Sequence, residues 1–321
     1  MTHKPSFETT SHELAPPAPG LLATLRYLLR TMRPKQWIKN IFVFTALAFS
    51  EERLWLQAEP VLHTLAGFAL FCMAASAIYL INDLVDIEKD RAHPRKRHRP
   101  LASGVLSPKV AWAAAAVLIL AALPLAYLLD PDGGFLIVLL TYVVVQGVLY
   151  SYYLKHVVIL DILVIAAGFI LRAIGGAVIL DIPITSWLLV CMGLLAVFLG
   201  VAKRRHELVL LDAGAGEHRR ILAEYSIPML DQMMAIVTAS IIMAYSMATF
   251  SAPAVPHEPF PVLMTTIPFI IYGIFRYLYL IYQQDGGGTP EEMLLKDRPL
   301  AINFVLWGVL VLLVLYFFRP A

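Results

Sequence analysis

Tyr79-Leu-Ile-Asn-Asp-Leu-Val-Asp-Ile-Glu-Lys-Asp-Arg91 is where the chain changes character. Behind it lies an apolar run, Val61 to Ile81, long enough to cross a bilayer. The run gives way at once to carboxylates, and these to a basic loop that runs through Pro94-Arg-Lys-Arg-His-Arg-Pro100 to Ser107. Asn82, Asp86 and Asp90 recur at every fourth residue. At 100° per residue, Asn82, Asp83, Asp86 and Asp90 share an arc of roughly 100° on one helix face. Oxygen side chains stacked one turn apart suit a hard divalent cation that keeps several waters and shares a polyphosphate. Arg95, Lys96, Arg97 and Arg99 add a matching grip for phosphate oxygens. A polar helix end with a positive loop is also the routine finish of a transmembrane span. The stacking of three oxygen side chains, followed by four cations in five residues, favours a site over a plain helix end.

The composition sets the class. Of 321 residues, 59% are hydrophobic and only 15% charged, and the mean hydropathy is +0.72. Several apolar runs reach the length of a bilayer crossing, which predicts an all-α, polytopic membrane protein. A net charge of +2 makes no case for a nucleic-acid partner. Cys72 and Cys191 both sit in apolar runs and read as small core residues, not as a disulfide or metal pair. The nine histidines form no HExxH or Cys/His cluster, which argues against zinc.

Taken in order, residues 1–20 form a polar, proline-rich tail without an apolar core, expected to be disordered. Residues 21–33 mix leucines with Arg26, Arg30 and Arg33 at helical spacing. They read as an amphipathic helix on the interface or, equally, as the basic flank of the first span. Nine spans follow within residues 34–321: one from about Pro34 to Ser50, then Val61–Ile81, Val110–Leu129, Phe135–Tyr150, Val157–Ile179, Trp187–Val201, Met229–Phe250, Val262–Tyr282 and Leu300–Phe318. Gly214 and Gly216 break the polar stretch after the sixth span. All Lys and Arg residues except Arg53, Arg172, Arg276 and Arg319 fall on one side of this arrangement. The positive-inside rule makes that side, with the amino end, cytoplasmic, and a bacterial inner membrane is expected.

Polar groups of that inner face form the candidate site. The acidic ladder Asn82, Asp86, Asp90 would hold the metal, with Asp83 beside it. Lys35, Gln36, Lys39, Arg97, Arg99, Tyr152 and Lys155 lie in the same boundary layer, with Lys203, Arg204 and Glu207 at the end of the sixth span. Lys203 and Glu207 are also spaced as an ordinary i, i+4 surface pair. Arg172 lies mid-span, where a lone arginine costs roughly 2.5–3.5 kcal/mol on insertion scales. A phosphate or a carboxylate from another span is expected as its partner. Arg276 raises the same question and reads as half of a structural ion pair. Gly168, Gly175 and Gly176 are expected to permit close helix contact.

The NDxxDxxxD pattern after a membrane span resembles the first aspartate motif of the UbiA-type intramembrane prenyltransferase superfamily. The resemblance covers all nine spans and is greatest to its decaprenyl-phosphate 5-phosphoribosyltransferase branch. Arg33-Pro-Lys-Gln-Trp-Ile-Lys-Asn40 is similar to that branch's opening motif, and Gly286-Gly-Gly-Thr-Pro290 with Asp297-Arg-Pro-Leu300 to its last cytoplasmic loop. Lys203-Arg-Arg-His-Glu-Leu208 stands where aromatic prenyltransferases carry a second aspartate pair, and so departs from the wider superfamily. The resemblance implies a UbiA-like bundle around a cytoplasm-facing cavity. It also implies transfer of a phosphoribosyl group from phosphoribosyl pyrophosphate to a polyprenyl phosphate. Mg2+ is the implied cofactor, with Mn2+ as the alternative, on Asn82, Asp86 and Asp90. Lys35, Gln36, Lys39, Lys203, Arg204 and Glu207 would orient the donor, and Tyr152 and Lys155 resemble a tyrosine–lysine element at the same diphosphate. A homo-oligomer is compatible with all of this. The runner-up is an aromatic or quinone polyprenyltransferase with a polyprenyl diphosphate donor; a lipid carrier is the third reading, disfavoured because the charges crowd one face.

Overall fold

The computed structural model describes residues 20–94, 96–212, 220–252, 255, 258, 260–284, 293 and 296–318. The expected disordered tail up to residue 19, Arg95, the breakers Gly214 and Gly216, and the Gly286–Pro290 motif lie outside the described residues. Among the described residues every regular element is helical.

The amphipathic segment folds as α1 (Leu21–Met32). Tyr27, Leu28 and Met32 pack on one side of it, while Leu21, Leu22, Leu25 and Leu29 point outward. It ends at Arg33, which takes the left-handed conformation (φ 54°) and turns the chain. Eight long helices follow: α2 (Ala58–Val85), α3 (Pro108–Leu129), α4 (Gly134–Tyr152), α5 (Leu160–Ile179), α6 (Ser186–Asp212), α7 (Ile227–Phe250), α8 (Val262–Gln283) and α9 (Arg298–Phe317). Each is long and apolar enough to cross a membrane, so the chain is a multi-pass membrane protein. Burial separates the centre from the rim. The apolar windows of α2 and α5 are 67% and 56% buried, against 17% for α3 and 22% for α9. α2 and α5, which carry Asn82, Asp83, Asp161 and Arg172, are therefore the helices most enclosed by others.

Nine long spans were expected, and the first differs. Pro34–Phe44 is an eleven-residue 3-10 helix, continued by a single α turn, Thr45–Ala48. At about 2.0 Å per 3-10 residue and 1.5 Å per α residue, the segment extends about 28 Å, close to the ~30 Å of bilayer hydrocarbon. Its local contacts explain the unusual run. Trp37 donates to Ser76 Oγ (3.0 Å), and the buried Asn40 donates to Cys72 Sγ (3.1 Å) and accepts from Arg172 Nε (2.7 Å). A thin, stretched helix lets the backbone settle against the glycine face of α5. A Cβ added at Gly176 would stand 1.9 Å from the Val43 carbonyl oxygen, and one at Gly175 would meet the Phe71 ring at 2.8 Å. The expected close contact is met at Gly176 by backbone, which cannot rotate away, and at Gly175 and Gly168 by the Phe71 and Gln146 side chains. Gly176→Ala is accordingly expected to destabilise the protein by about 1–3 kcal/mol, read as a lower midpoint of thermal unfolding in detergent.

Among the described residues the core forms four clusters, of which two are the largest. One gathers Val43, Phe71, Phe135, Leu139 and Tyr142 around the first half of the bundle; the other gathers Ile162, Phe198, Leu230, Met234 and Tyr277 around the second. Arg276 forms the expected ion pair, with Asp297 (2.8 Å), whose other oxygen caps α9 through Leu300 N (2.8 Å). The hydrogen bond from Arg276 holds the Asp297 carboxyl below its ordinary range.

Candidate active site

α2 leaves α conformation at Asp86 (φ −98°, ψ 11°), and a short helix, Ile87–Ala92, carries the chain on. The four oxygen side chains around this break do not act as one ladder. They divide into two pairs that face different partners.

Asn82 and Asp86 face the end of α4. Ser151 Oγ donates to Asn82 Oδ1, and Lys155 Nζ reaches both Asp86 oxygens at 2.8 and 2.9 Å. A π-helical stretch, Val143–Leu149, interrupts α4 just before these residues and widens its last turns. Gly147 in that stretch lies against Ile78 of α2, where a Cβ would come within 3.1 Å. The 3-10 turn Leu154–His156 then brings Lys155 back onto Asp86. Asp86 keeps 24% of its side chain exposed, so the pair is open to small solutes.

Asp83 and Asp90 turn the other way and are buried. Arg33 Nη2 binds Asp83 at 2.6 Å, and Arg99 Nη1 bridges Asp83 (3.2 Å) and Asp90 (2.7 Å). Arg33 also lies over the Tyr79 ring, 4.9 Å from its centre. Arg99 thus serves as a clamp between the basic loop and α2, while Arg97 is exposed.

These pairings decide how a divalent ion fits. Among the described residues no three of His, Cys, Asp and Glu converge as a metal site. Asn82 and Asp86 offer an amide oxygen and a carboxylate, and a cation, the Lys155 ammonium, already sits against that carboxylate. This fits an ion that takes one or two protein ligands and completes its shell with water and substrate phosphate. Asp90, expected as the third ligand, is instead occupied by Arg99.

The second region is built around a buried pair. Arg204 Nε binds Asp161 Oδ2 at 2.6 Å, its Nη1 binds Glu207 at 2.7 Å, and Tyr225 donates to Asp161 Oδ1 at 2.6 Å. Arg204 is 2% exposed and Asp161 wholly buried, so this arginine is committed to the protein and not presented to a solute. Burial, then the bond to Asp161, raises the Tyr225 phenol well above its ordinary value, so it donates as the neutral group. The backbone N–H of Ile159, just before α5, donates to the Tyr225 hydroxyl at 2.7 Å and so joins the segment after α4 to this region. Lys203 and Glu207 are half-buried, Lys35 and Tyr152 exposed, and Gln36 and Lys39 half-buried.

Arg172 corrects an expectation. Its partners are neither phosphate nor carboxylate but Asn40 Oδ1 (2.7 Å), the Gly168 carbonyl (2.7 Å) and the Tyr142 hydroxyl (2.6 Å), with the Tyr142 and Phe169 rings at 4.7 and 5.3 Å. It ties Pro34–Phe44 to α5 and α4. Arg172→Met removes a costly charge but orphans two buried polar groups, Asn40 Oδ1 and the Tyr142 hydroxyl, at about 1–3 kcal/mol each, while the Gly168 carbonyl keeps its helical N–H. A net loss of about 1–3 kcal/mol is expected, again as a lower unfolding midpoint. Ser151, Tyr142 and Tyr225 escaped the sequence reading. Only Ser151 carried a signal, since it opens the polar break Ser151–His156.

Residues 41–296 match the UbiA prenyltransferase family. The chain is 36% identical over 291 residues to the decaprenyl-phosphate phosphoribosyltransferase of Mycolicibacterium smegmatis, across 87% of this chain and 89% of that protein. It is 31% identical over 291 residues to the enzyme of that name from Corynebacterium glutamicum, across 90% of this chain and 86% of that one. The structure of a UbiA homolog from Archaeoglobus fulgidus bound to GPP and Mg2+ superposes with a TM-score of 0.67 at 18% identity, covering 90% of this chain and 99% of that one.

Proposed function

The chain belongs to the UbiA prenyltransferase family, and from that premise we propose that it transfers a 5-phosphoribosyl group from phosphoribosyl pyrophosphate to a polyprenyl phosphate of the decaprenyl type, releasing pyrophosphate. The observation that carries this reading is the 31–36% identity, over most of both chains, to proteins named for that activity. The chemistry of the residues supports it. A soluble polyanionic donor needs cations at a water-accessible boundary, and a lipid acceptor needs a route between helices. The acceptor phosphate is already an anionic nucleophile and requires no strong general base.

Asn82 and Asp86 are the residues proposed to hold Mg2+, with Mn2+ as the alternative; when bound, the ion neutralises charge on the departing pyrophosphate. Lys155, beside Asp86, is placed to share those oxygens, and Ser151 fixes the Asn82 amide. Lys35, Gln36, Lys39, Arg97, Tyr152, Lys203 and Glu207 are the proposed contacts for the donor's remaining phosphate and ribose groups. Asp83, Asp90, Arg99, Arg172 and Arg204 hold the framework in place. The lipid phosphate would attack the ribose carbon from the face opposite the leaving group, and the cations that flank the site would stabilise charge as it develops. The distribution of Lys and Arg favours a cytoplasmic site and amino end, and the bacterial relatives support a bacterial inner membrane.

The test is direct. Purified protein, Mg2+, ribose-labelled phosphoribosyl pyrophosphate and a series of polyprenyl phosphates should give labelled lipid and equimolar pyrophosphate. Prenylation of 4-hydroxybenzoate from a polyprenyl diphosphate, with no labelled lipid, would replace this reading by the runner-up.

A further inference from the structure

Two hollows follow one stripe of α2, about 80° around the helix from Asn82 and Asp86. The first, a cavity of about 130 Å³, is lined by Arg30, Arg33, His98 and Arg99 around a single carboxylate, Asp83. The second, about 290 Å³, is lined by Met32, Trp37, Phe68, Cys72, Met73 and Leu118, and its walls are almost wholly apolar. That is roughly twice the ~150 Å³ of a cavity that takes a benzene. Seven residues separate Ser76 beside the apolar hollow from Asp83 in the cationic one, a rise of about 10 Å. α1 borders both, with Arg30 and Arg33 on one and Met32 on the other, while Leu21, Leu22, Leu25 and Leu29 face outward as on a helix lying among lipid chains.

We propose that the two hollows together bind one anionic phospholipid of the surrounding leaflet, its phosphodiester among Arg30, Arg33, His98 and Arg99 and one acyl chain in the Met32–Leu118 groove. Charge decides the class of lipid. Counting Asp90, which binds Arg99 at 2.7 Å, three guanidinium groups still outnumber two carboxylates, and among the described residues Arg30 forms no ion pair. A zwitterionic head would bring its own cation into that surplus, whereas a phosphatidylglycerol head brings only the anion. The occupant is a resident lipid and not the acceptor substrate. Both carboxylates on this face, Asp83 and Asp90, are closed by arginine, and the one pair open to a metal and a donor, Asn82 with Asp86, faces away from the cup. The inference is independent of the phosphoribosyl reading, because it rests on α1, the Pro34–Phe44 helix, α2, α3 and the basic loop alone.

The full chain in neutral detergent is titrated with phosphatidylglycerol or with phosphatidylcholine of the same acyl chains, and binding is read from the thermal unfolding midpoint. Phosphatidylglycerol should raise the midpoint at concentrations where phosphatidylcholine does not. Arg30→Gln with His98→Gln, both exposed positions, should leave the lipid-free midpoint unchanged and weaken phosphatidylglycerol about tenfold. Leu118→Trp, which fills the groove, should weaken it by a similar factor. Equal stabilisation by the two lipids, or an unchanged response of the Arg30/His98 variant, overturns the proposal. So does stoichiometric displacement of phosphatidylglycerol by polyprenyl phosphate, which would make the cup a substrate site.

Discussion

Asp86→Asn lowers the turnover of phosphoribosyl transfer by about 10²–10³-fold, the loss typical of removing one preorganised electrostatic contact to developing charge, and leaves the fold close to wild type. The expectation follows from where Asp86 sits. Its carboxylate is part-exposed, closes no core cluster and meets only the Lys155 ammonium at 2.8 and 2.9 Å. Asn keeps its size and its place at the break in α2 but removes the charge that attracts a divalent ion. The matching stability cost is that of one part-exposed ion pair, about 1 kcal/mol or less. Asp83→Asn is the internal control and should show the reverse pattern. Asp83 is buried under Arg33 and Arg99, so its loss lowers the unfolding midpoint more than the turnover of whatever protein remains folded. Steady-state rates at saturating donor, paired with melting curves of both variants, separate the two. Full turnover in Asp86→Asn would remove the metal from the proposed site, and a collapse of its melting midpoint would reassign Asp86 to the scaffold.

The contrast between Asp83 and Asp86 also marks where sequence reading ends. Helical periodicity located the acidic cluster and the apolar runs, because both depend on spacing along one chain. Eight of the nine expected crossings reappear as long helices, their bounds shifted by a few residues except at the sixth, which runs on past Val201 to Asp212. The Pro34–Phe44 helix has a 3-10 form because Gly176 of α5 and Arg172 press on it from more than a hundred residues away, and no window of sequence contains that information. The same holds for the split of the ladder. An ideal helix puts Asn82, Asp83, Asp86 and Asp90 on a common arc, but the partners that choose among them, Ser151 and Lys155 on one side and Arg33 and Arg99 on the other, arrive from separate elements. Arg172 shows the limit of charge matching. Its depth required a partner, and three neutral acceptors served where a counter-charge was expected.

Asp161→Leu and Arg204→Met should each cost about 3–5 kcal/mol, while the double variant should recover most of that loss. Both side chains lie at 0–2% exposure and bind at 2.6 Å. Removing Arg204 leaves the Asp161 charge uncompensated in the low-dielectric centre of the second core cluster, beside Ile162 and Val201, and removing Asp161 leaves Arg204 with Glu207 as its one counter-charge among the described residues. Removing both exchanges a desolvated ion pair for apolar contact, which buried pairs of this kind tolerate. Each single change is tempered by a partner that stays: in Arg204→Met the Tyr225 hydroxyl still donates to Asp161, and in Asp161→Leu the Glu207 carboxylate still holds Arg204. The rescue also assigns Arg204 a role. If the pair is scaffold, the double variant regains turnover to within about tenfold of wild type along with its stability. If Arg204 instead holds donor phosphate, melting curves recover while transfer stays lost, and the second region must then open in the donor complex to release an arginine that Asp161 and Glu207 otherwise hold.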